Sequence, residues 1–195
     1  MTAPSNKLAS HSINMIRPHM RMIPKVAFPP GFGIRPMKLD EAALWTDIER
    51  AAEGSPNGVP DDLFHREFGH DQQAIPQRCF IIVNETGDGV GTISAWYDPD
   101  FRGQDYGRIH WVAVRRTYQQ RGLGKAGLSF ALHRLAEWHE RSYLITQTHR
   151  LPAIKLYLNF GFLPDLVPEG AIEHWRQVQS QLEHPSLDHA LDHLP

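Results

Sequence analysis

The feature that most constrains the fold is a change of apolar period inside "HWVAVRRTYQQRGLGKAGLSFALHRLAEW", residues 110–138. Up to Val114 the pattern is the short alternation of a β-strand. From Leu123 onward, Leu123, Gly127, Phe130 and Leu135 follow the stripe of an amphipathic helix, with Leu128 and Leu132 adjoining it. Between them lies "RRTYQQRG", so a strand must turn into a helix through a basic, glycine-bearing connection.

The flanking segments extend this unit into a sheet. "GFGIRPM" reads as a short edge strand ending at Pro36. "LDEAALWTDIERAAEG" predicts a helix capped by Asp40 and stopped at Gly54. "PDDLFHREFGH" predicts a short second helix with Leu63, Phe64 and Phe68 facing inward. "QRCFIIVNETGDGVGTISAWYD" reads as two strands joined through "NETGDG", "DYGRIHWVAV" as the next strand and "SYLITQTH" as the fifth. "LPAIKLYLNFGF" fits a helix opening near Pro152 and closing before Gly161, and "EGAIEHWRQVQSQL" fits another. The expected fold is mixed α/β, with a mostly antiparallel central sheet and helices on both faces. Residues 1–25 are expected as a flexible arm, 26–165 as one domain, and 166–195 as a helical segment followed by a loose tail.

Composition excludes several classes of function. A single cysteine, Cys79, rules out an intrachain disulfide and a four-sulfur metal site, which points to a reducing cytoplasm. No apolar run reaches the roughly 18 residues of a membrane span, and the N-terminal segment lacks the continuous apolar core of a secretory signal. The net charge of −2 hides an asymmetry: residues 101–150 carry nine Lys or Arg against three acids, and residues 51–100 carry two against nine. Without interleaved aromatics or a nucleic-acid-binding signature, the basic segment suits a compact polyphosphate and no nucleic-acid partner is expected. Twelve histidines do not form a metal motif: His65 and His70, and His133 and His139, have spacings that separate them around a helix. No metal is expected.

The turn at 119–124 has its own chemistry. The first turn of a helix leaves about four N–H groups unpaired and aimed outward, a ready site for an anion. Gly122 and Gly124 remove side chains where phosphate oxygens must approach, and Arg121 and Lys125 add positive charge. A P-loop is excluded because Lys125 is followed by Ala126. Gly122, Gly124 and Gly127 share the spacing of a dinucleotide fingerprint, but the strand order differs and the position for its acid falls at Ser142 to Leu144, where none stands.

Gln119, Gly122 and Gly124, preceded by Val112, Ala113 and Val114, resemble the acyl-CoA-binding motif of the GCN5-related N-acetyltransferase superfamily. "RLPAIKLYLNFGF" resembles the later helix of that superfamily at Ala153, Leu156, Tyr157, Gly161 and Phe162, with Arg150 where Asn is common. The resemblance covers roughly residues 32–165. It implies acetyl-CoA as cosubstrate, its pyrophosphate on Gln119, Gln120, Arg121, Gly122, Leu123, Gly124 and Lys125, with Arg150 and Ala153 also in the cofactor site. Its pantetheine would run along the backbone of Val112, Ala113 and Val114, where a V-shaped splay opens between the fourth and fifth strands.

The implied reaction is direct attack of an amine on the thioester, with Tyr157 as the acid for the leaving thiol. His110 is the candidate base; alternation along the strand places it on the side of Val112 and Val114, and a packing histidine is the competing reading. Asp105 and Tyr106 are the alternatives for the base. Acids at 61, 62, 67 and 71 favour a small cationic amine, with Trp45, Phe64, Phe68, Trp96 and Tyr97 as an aromatic wall or as core. Protein N-terminal or lysine acetylation and a non-catalytic acyl-CoA sensor remain as alternatives. The C-terminal segment is expected either to pair with a second copy as a homodimer or to cap its own sheet.

Overall fold

The computed structural model describes residues 10–53 and 58–192. In chain order these form β1 (Ser12–Arg17), β2 (Phe32–Pro36), α1 (Ala42–Glu53), α2 (Leu63–Phe68), α3 (Ile75–Arg78), β3 (Cys79–Asn84), β4 (Gly89–Phe101) and β5 (Gln104–Val114). Then follow α4 (Leu123–Leu135), β6 (Ser142–Gln147), α5 (Leu151–Asn159), β7 (Leu163–Pro164), α6 (Ala171–Gln179) and α7 (Pro185–Asp192). They divide into two compact units, residues 20–140 and residues 10–19 with 141–192.

The first unit is an antiparallel sheet in the order β2-β3-β4-β5. β3 reads "CFIIVN" without alternation because helices cover both of its faces. Cys79 and Ile81 join Trp96 and Ala113 against Trp45 and Ile48 of α1 and Phe64 and Phe68 of α2. On the opposite face Phe80 meets Phe130 of α4 edge-on, with ring centroids 4.8 Å apart. Trp45, at 0% exposure, packs edge-on against Phe64, Phe68 and Trp111. Burying one such aromatic side chain contributes roughly 1.5–3 kcal/mol, so this cluster anchors the two helices to the sheet.

Local signals set the connections. In the β3–β4 turn the Asn84 side-chain oxygen accepts from the backbone N–H groups of Thr86 and Asp88, at 3.1 and 2.8 Å. The β4–β5 turn places Arg102 and Gly103 both at positive φ, 57° and 74°, the twist favoured by two-residue hairpins. α1 begins one residue later than expected: the Glu41 carbonyl takes the first helical bond from Trp45 N–H at 3.0 Å. The Glu41 carboxylate is held by both terminal nitrogens of Arg35, at 2.8 and 2.6 Å. The expected stop at Gly54 and residues 55–57 of the "SPNGVPDD" loop lie outside the described residues.

The second unit corrects two expectations. Residues 12–17, expected within a flexible arm, form β1, which pairs antiparallel with β6 (Ile13 opposite Thr146) and with β7 (Ile16 opposite Leu163). Ile13, Met15 and Arg17 are buried while Ser12, Asn14 and Ile16 are more open, the period of two that marks a strand. Residues 1–9 of that arm lie outside the described residues. The tail expected to be loose contains α7, which buries Leu187 and Leu191 and is tied to α6 by a Gln179–Asp188 hydrogen bond of 3.0 Å. Residues 193–195 are likewise outside the described residues. The expected boundaries at 26 and 165 therefore differ from the two units, because β1 finds its partners more than 120 residues downstream.

Candidate functional site

β5 does not alternate regularly. Thr92 of β4 stands opposite Ala113, but Ser94 stands opposite His110, so two steps on β4 match three on β5. Trp111 and Val112 have no opposite residue in this register, and Trp111 takes the left-handed φ of 48°. This is a β-bulge, which re-aims side chains and leaves backbone groups outside the ladder. A Cβ on Gly91 would come within 2.7 Å of the Ala113 carbonyl, so glycine permits this close approach next to the bulge.

The bulge overturns the expectation that His110, Val112 and Val114 share one side. Ala113 belongs to the α1–α2 core, whereas Val114 packs with Ile82, Val90 and Leu123 on the other face. His110 turns toward α2: its ring meets Phe68 edge-on at 5.5 Å, and its Nε2 lies 2.8 Å from Oε2 of Glu67. The extra residue at the bulge shifts the parity of the strand by one.

Electrostatics at this pair follow from its burial. Glu67 is pulled down to about 2, first by its hydrogen bond with His110 and against the effect of burial. His110, 9% exposed, is lowered from 6.5 because burial outweighs the pull of the carboxylate. The pair therefore carries one negative charge at neutral pH. The stabilising effect of Glu67 is full above its usual 4.5 and is lost as pH falls through about 2. The lowered imidazole adds a loss of stability that begins as pH drops below 6.5. Urea denaturation at stepped pH should show the wild type losing stability across both windows, and Glu67→Gln giving a shallower slope in the lower one.

Beyond Val114 the chain makes one turn of 3₁₀ helix at Arg116–Tyr118 and enters α4. Gln119 is oriented by donating from Nε2 to the Val114 carbonyl at 2.9 Å. Gln120 has a positive φ of 61°, and Gly122, the residue before α4, has a φ of 83° that glycine adopts without strain. No side chain caps α4, and no acid occupies its first turn. Arg121 lies over the Tyr118 ring at 5.2 Å, and Lys125 is exposed. A Cβ on Gly124 would meet nothing within 4 Å, so no packing within the protein requires glycine there. The open first-turn N–H groups and the positive end of the helix dipole suit a phosphate group.

The structure thus brings His110, Val112, Ala113, Val114 and residues 119–125 together along one strand–turn–helix unit. Arg150, Ala153 and Tyr157 lie together in the second unit: Arg150 precedes α5, its carbonyl accepts from Ala153 N–H at 3.0 Å, and Tyr157 is 8% exposed on α5. The alternatives for the base are committed elsewhere. Asp105 bonds His139 Nδ1 at 2.8 Å, and Tyr106 packs against Phe101.

The proposed wall and steering acids also change meaning. Trp45, Phe64, Phe68 and Trp96 are core residues, at most 2% exposed, and Tyr97 donates its hydroxyl to Asp71 at 2.7 Å. Asp61 pairs with Arg50 at 2.8 Å, and Glu67 with His110. In the sequence Glu67 reads only as local negative charge; its partner is 43 residues away, and no local pattern signals such a contact. Among the described residues no group of three or more His, Cys, Asp or Glu could hold a metal ion, and no helix is long and apolar enough to cross a membrane. Cys79 is buried, with its thiol pushed up to about 12 chiefly by burial, which keeps it out of nucleophilic chemistry.

A model of the acetyltransferase (GNAT) family matches residues 43–162. No curated protein matches the sequence. Among solved structures, a GCN5-related N-acetyltransferase from Sphaerobacter thermophilus is 21% identical with a TM-score of 0.62, over 79% of this chain and 48% of that one. A GNAT-family acetyltransferase from Colwellia psychrerythraea is 13% identical with a TM-score of 0.61, over 80% of this chain and 54% of that one. The NatC complex bound to Gag peptide and CoA is 19% identical with a TM-score of 0.52, over 66% of this chain and 82% of that one. At these identities the likeness is one of fold, and the chain spans about half the length of the first two proteins.

Proposed function

Since the chain belongs to the acetyltransferase (GNAT) family, we propose that it moves an acetyl group from acetyl-CoA to an amine on a small molecule, by direct attack in a ternary complex. The observation that carries this reading is the uncapped N-terminus of α4, with its glycine lead-in, directly after a bulged strand. Backbone N–H groups from Gly122 to Lys125 hold the pyrophosphate, supported by the charges of Arg121 and Lys125. The bulged stretch at Trp111 and Val112 offers backbone groups to the pantetheine amides as an added strand would. Acetyl-CoA supplies the activated thioester, and the protein positions it and manages protons.

In this reading His110 accepts a proton from the incoming ammonium, and the free amine attacks the carbonyl carbon. The C–S bond then breaks, and Tyr157 donates a proton to the leaving thiolate. An amine is favoured as acceptor because the His110–Glu67 pair holds one negative charge at neutral pH, which attracts an ammonium group. The competing acceptor is a protein N-terminus or lysine; the NatC complex, similar in fold, is bound to Gag peptide and CoA.

Release of free CoA thiol, screened over small amines and short peptides beside calorimetry with acetyl-CoA, tests both readings. Turnover restricted to peptides would replace the small-molecule acceptor, and failure to bind acetyl-CoA would overturn the central claim. Tyr157→Phe is expected to lower kcat about 10- to 100-fold, less than a base would, because a thiolate is already a good leaving group. Its affinity for acetyl-CoA should stay unchanged, and unchanged turnover would remove Tyr157 as the acid.

A further inference from the structure

We infer that Glu67 is a positioning residue: its carboxylate holds the His110 imidazole in the Nε2–H tautomer, so that Nδ1 is the atom that takes the proton from the amine. The inference rests on the base role proposed for His110.

An ionised carboxylate can only accept hydrogen bonds, so the 2.8 Å contact between Oε2 of Glu67 and Nε2 of His110 places the ring proton on Nε2. The lone pair of the neutral ring is then on Nδ1, which has no hydrogen-bond partner among the described residues. Phe68 and Trp111 flank the ring at 5.5 and 5.8 Å, and a flipped imidazole would give up its charge-assisted bond. The bulge at Trp111 is what turns His110 toward α2 at all.

Few other charges face this ring. Glu67 approaches from α2 and Arg108 acts from β5 itself, while opposite on β4 stands Ser94, whose hydroxyl bonds the Cys79 sulfur at 3.5 Å. His70 packs against Trp96 instead. A second carboxylate paired with a buried histidine shows the contrast. His139 has Nδ1 against Asp105 at 2.8 Å and Nε2 within 3.3 Å of Arg78, so both of its nitrogens are occupied. His110 has one nitrogen committed and one available, the arrangement of a base with an orienting partner.

The proton balance closes. An ammonium substrate gives one proton to Nδ1, its nitrogen bonds the acetyl carbon and the C–S bond breaks; the thiolate takes a proton from the acid, which is restored by the second proton that the nitrogen sheds on becoming an amide. The products are the amide, CoA thiol and one proton released to solvent from the imidazole.

Long-range ¹H–¹⁵N spectra of the full chain at neutral pH, with His110 assigned through His110→Gln, read the tautomer without any substrate. The wild type should show Nε2–H with unprotonated Nδ1, Glu67→Gln should keep that tautomer by accepting through its amide oxygen, and Glu67→Ala should redistribute it. In turnover, Glu67→Ala and Glu67→Gln should lower kcat about 10- to 100-fold with an unchanged KM for acetyl-CoA. Both should also move the acidic limb of the kcat/KM profile to lower pH, since the carboxylate that raises the imidazole pKa is gone. A wild-type ring protonated at Nδ1, or a tautomer indifferent to Glu67→Ala, overturns the inference. Unchanged turnover in His110→Gln instead overturns the base role on which it rests.

Discussion

Gly124→Glu is expected to weaken acetyl-CoA binding by about 100-fold or more, because like charges brought together at a binding site cost several kcal/mol. Its thermal midpoint should equal or exceed that of the parent. Gly124 sits in the first turn of α4, and an added Cβ there meets nothing within 4 Å. Glycine is a poor helix former by about 1 kcal/mol relative to Ala, and a glutamate near a helix N-terminus is favoured by the dipole. A position where the folded chain gains by losing its glycine, while the ligand suffers, separates a phosphate site from a mere turn. Calorimetry beside thermal denaturation makes the test, and full affinity in Gly124→Glu would remove the α4 N-terminus as the pyrophosphate site.

His110→Gln should reduce kcat about 100- to 1,000-fold, the contribution typical of a positioned general base. Glutamine suits this test better than alanine: its amide can still donate to Glu67, so the half-buried carboxylate keeps a partner, yet it cannot accept the amine proton at neutral pH. Binding of acetyl-CoA should be unaffected. The acidic limb of the kcat/KM profile should disappear with the imidazole, whose pKa lies below 6.5 in the folded protein. Persistence of that limb would assign it to another group.

The strand–turn–helix unit was legible because its signals are local. Alternation before Val114, the helical stripe from Leu123 and a glycine at the one position that needs φ of 83° all act within a few residues. The resemblance carried the same stretch to an acyl-CoA site. Other elements were hidden for equally physical reasons. "SINMIR" alternates as a strand does, but it is short and flanked by polar residues and Pro18, so only pairing with Leu144 and Leu163 neighbours identifies it as β1. At α7, too few apolar residues repeat within "PSLDHALD" to mark the helix without the α6 surface that buries Leu187.

Within the candidate site, amino-acid order alone determined which groups were present: a histidine ahead of a valine-rich strand end, a basic glycine-bearing turn, and acids in the preceding helices. It determined the local conformation of the turn as well, since glycine's freedom is a property of single residues. Tertiary structure decided what faces what. The bulge at Trp111 reversed the side on which His110 lies relative to Val114, because one extra residue inverts a period of two. It also chose Glu67 among several nearby acids as the partner of His110, because packing of Phe64 and Phe68 under Trp45 fixes which face of α2 meets the sheet. Contacts of that kind depend on how elements dock across the core, and no spacing along the chain encodes them.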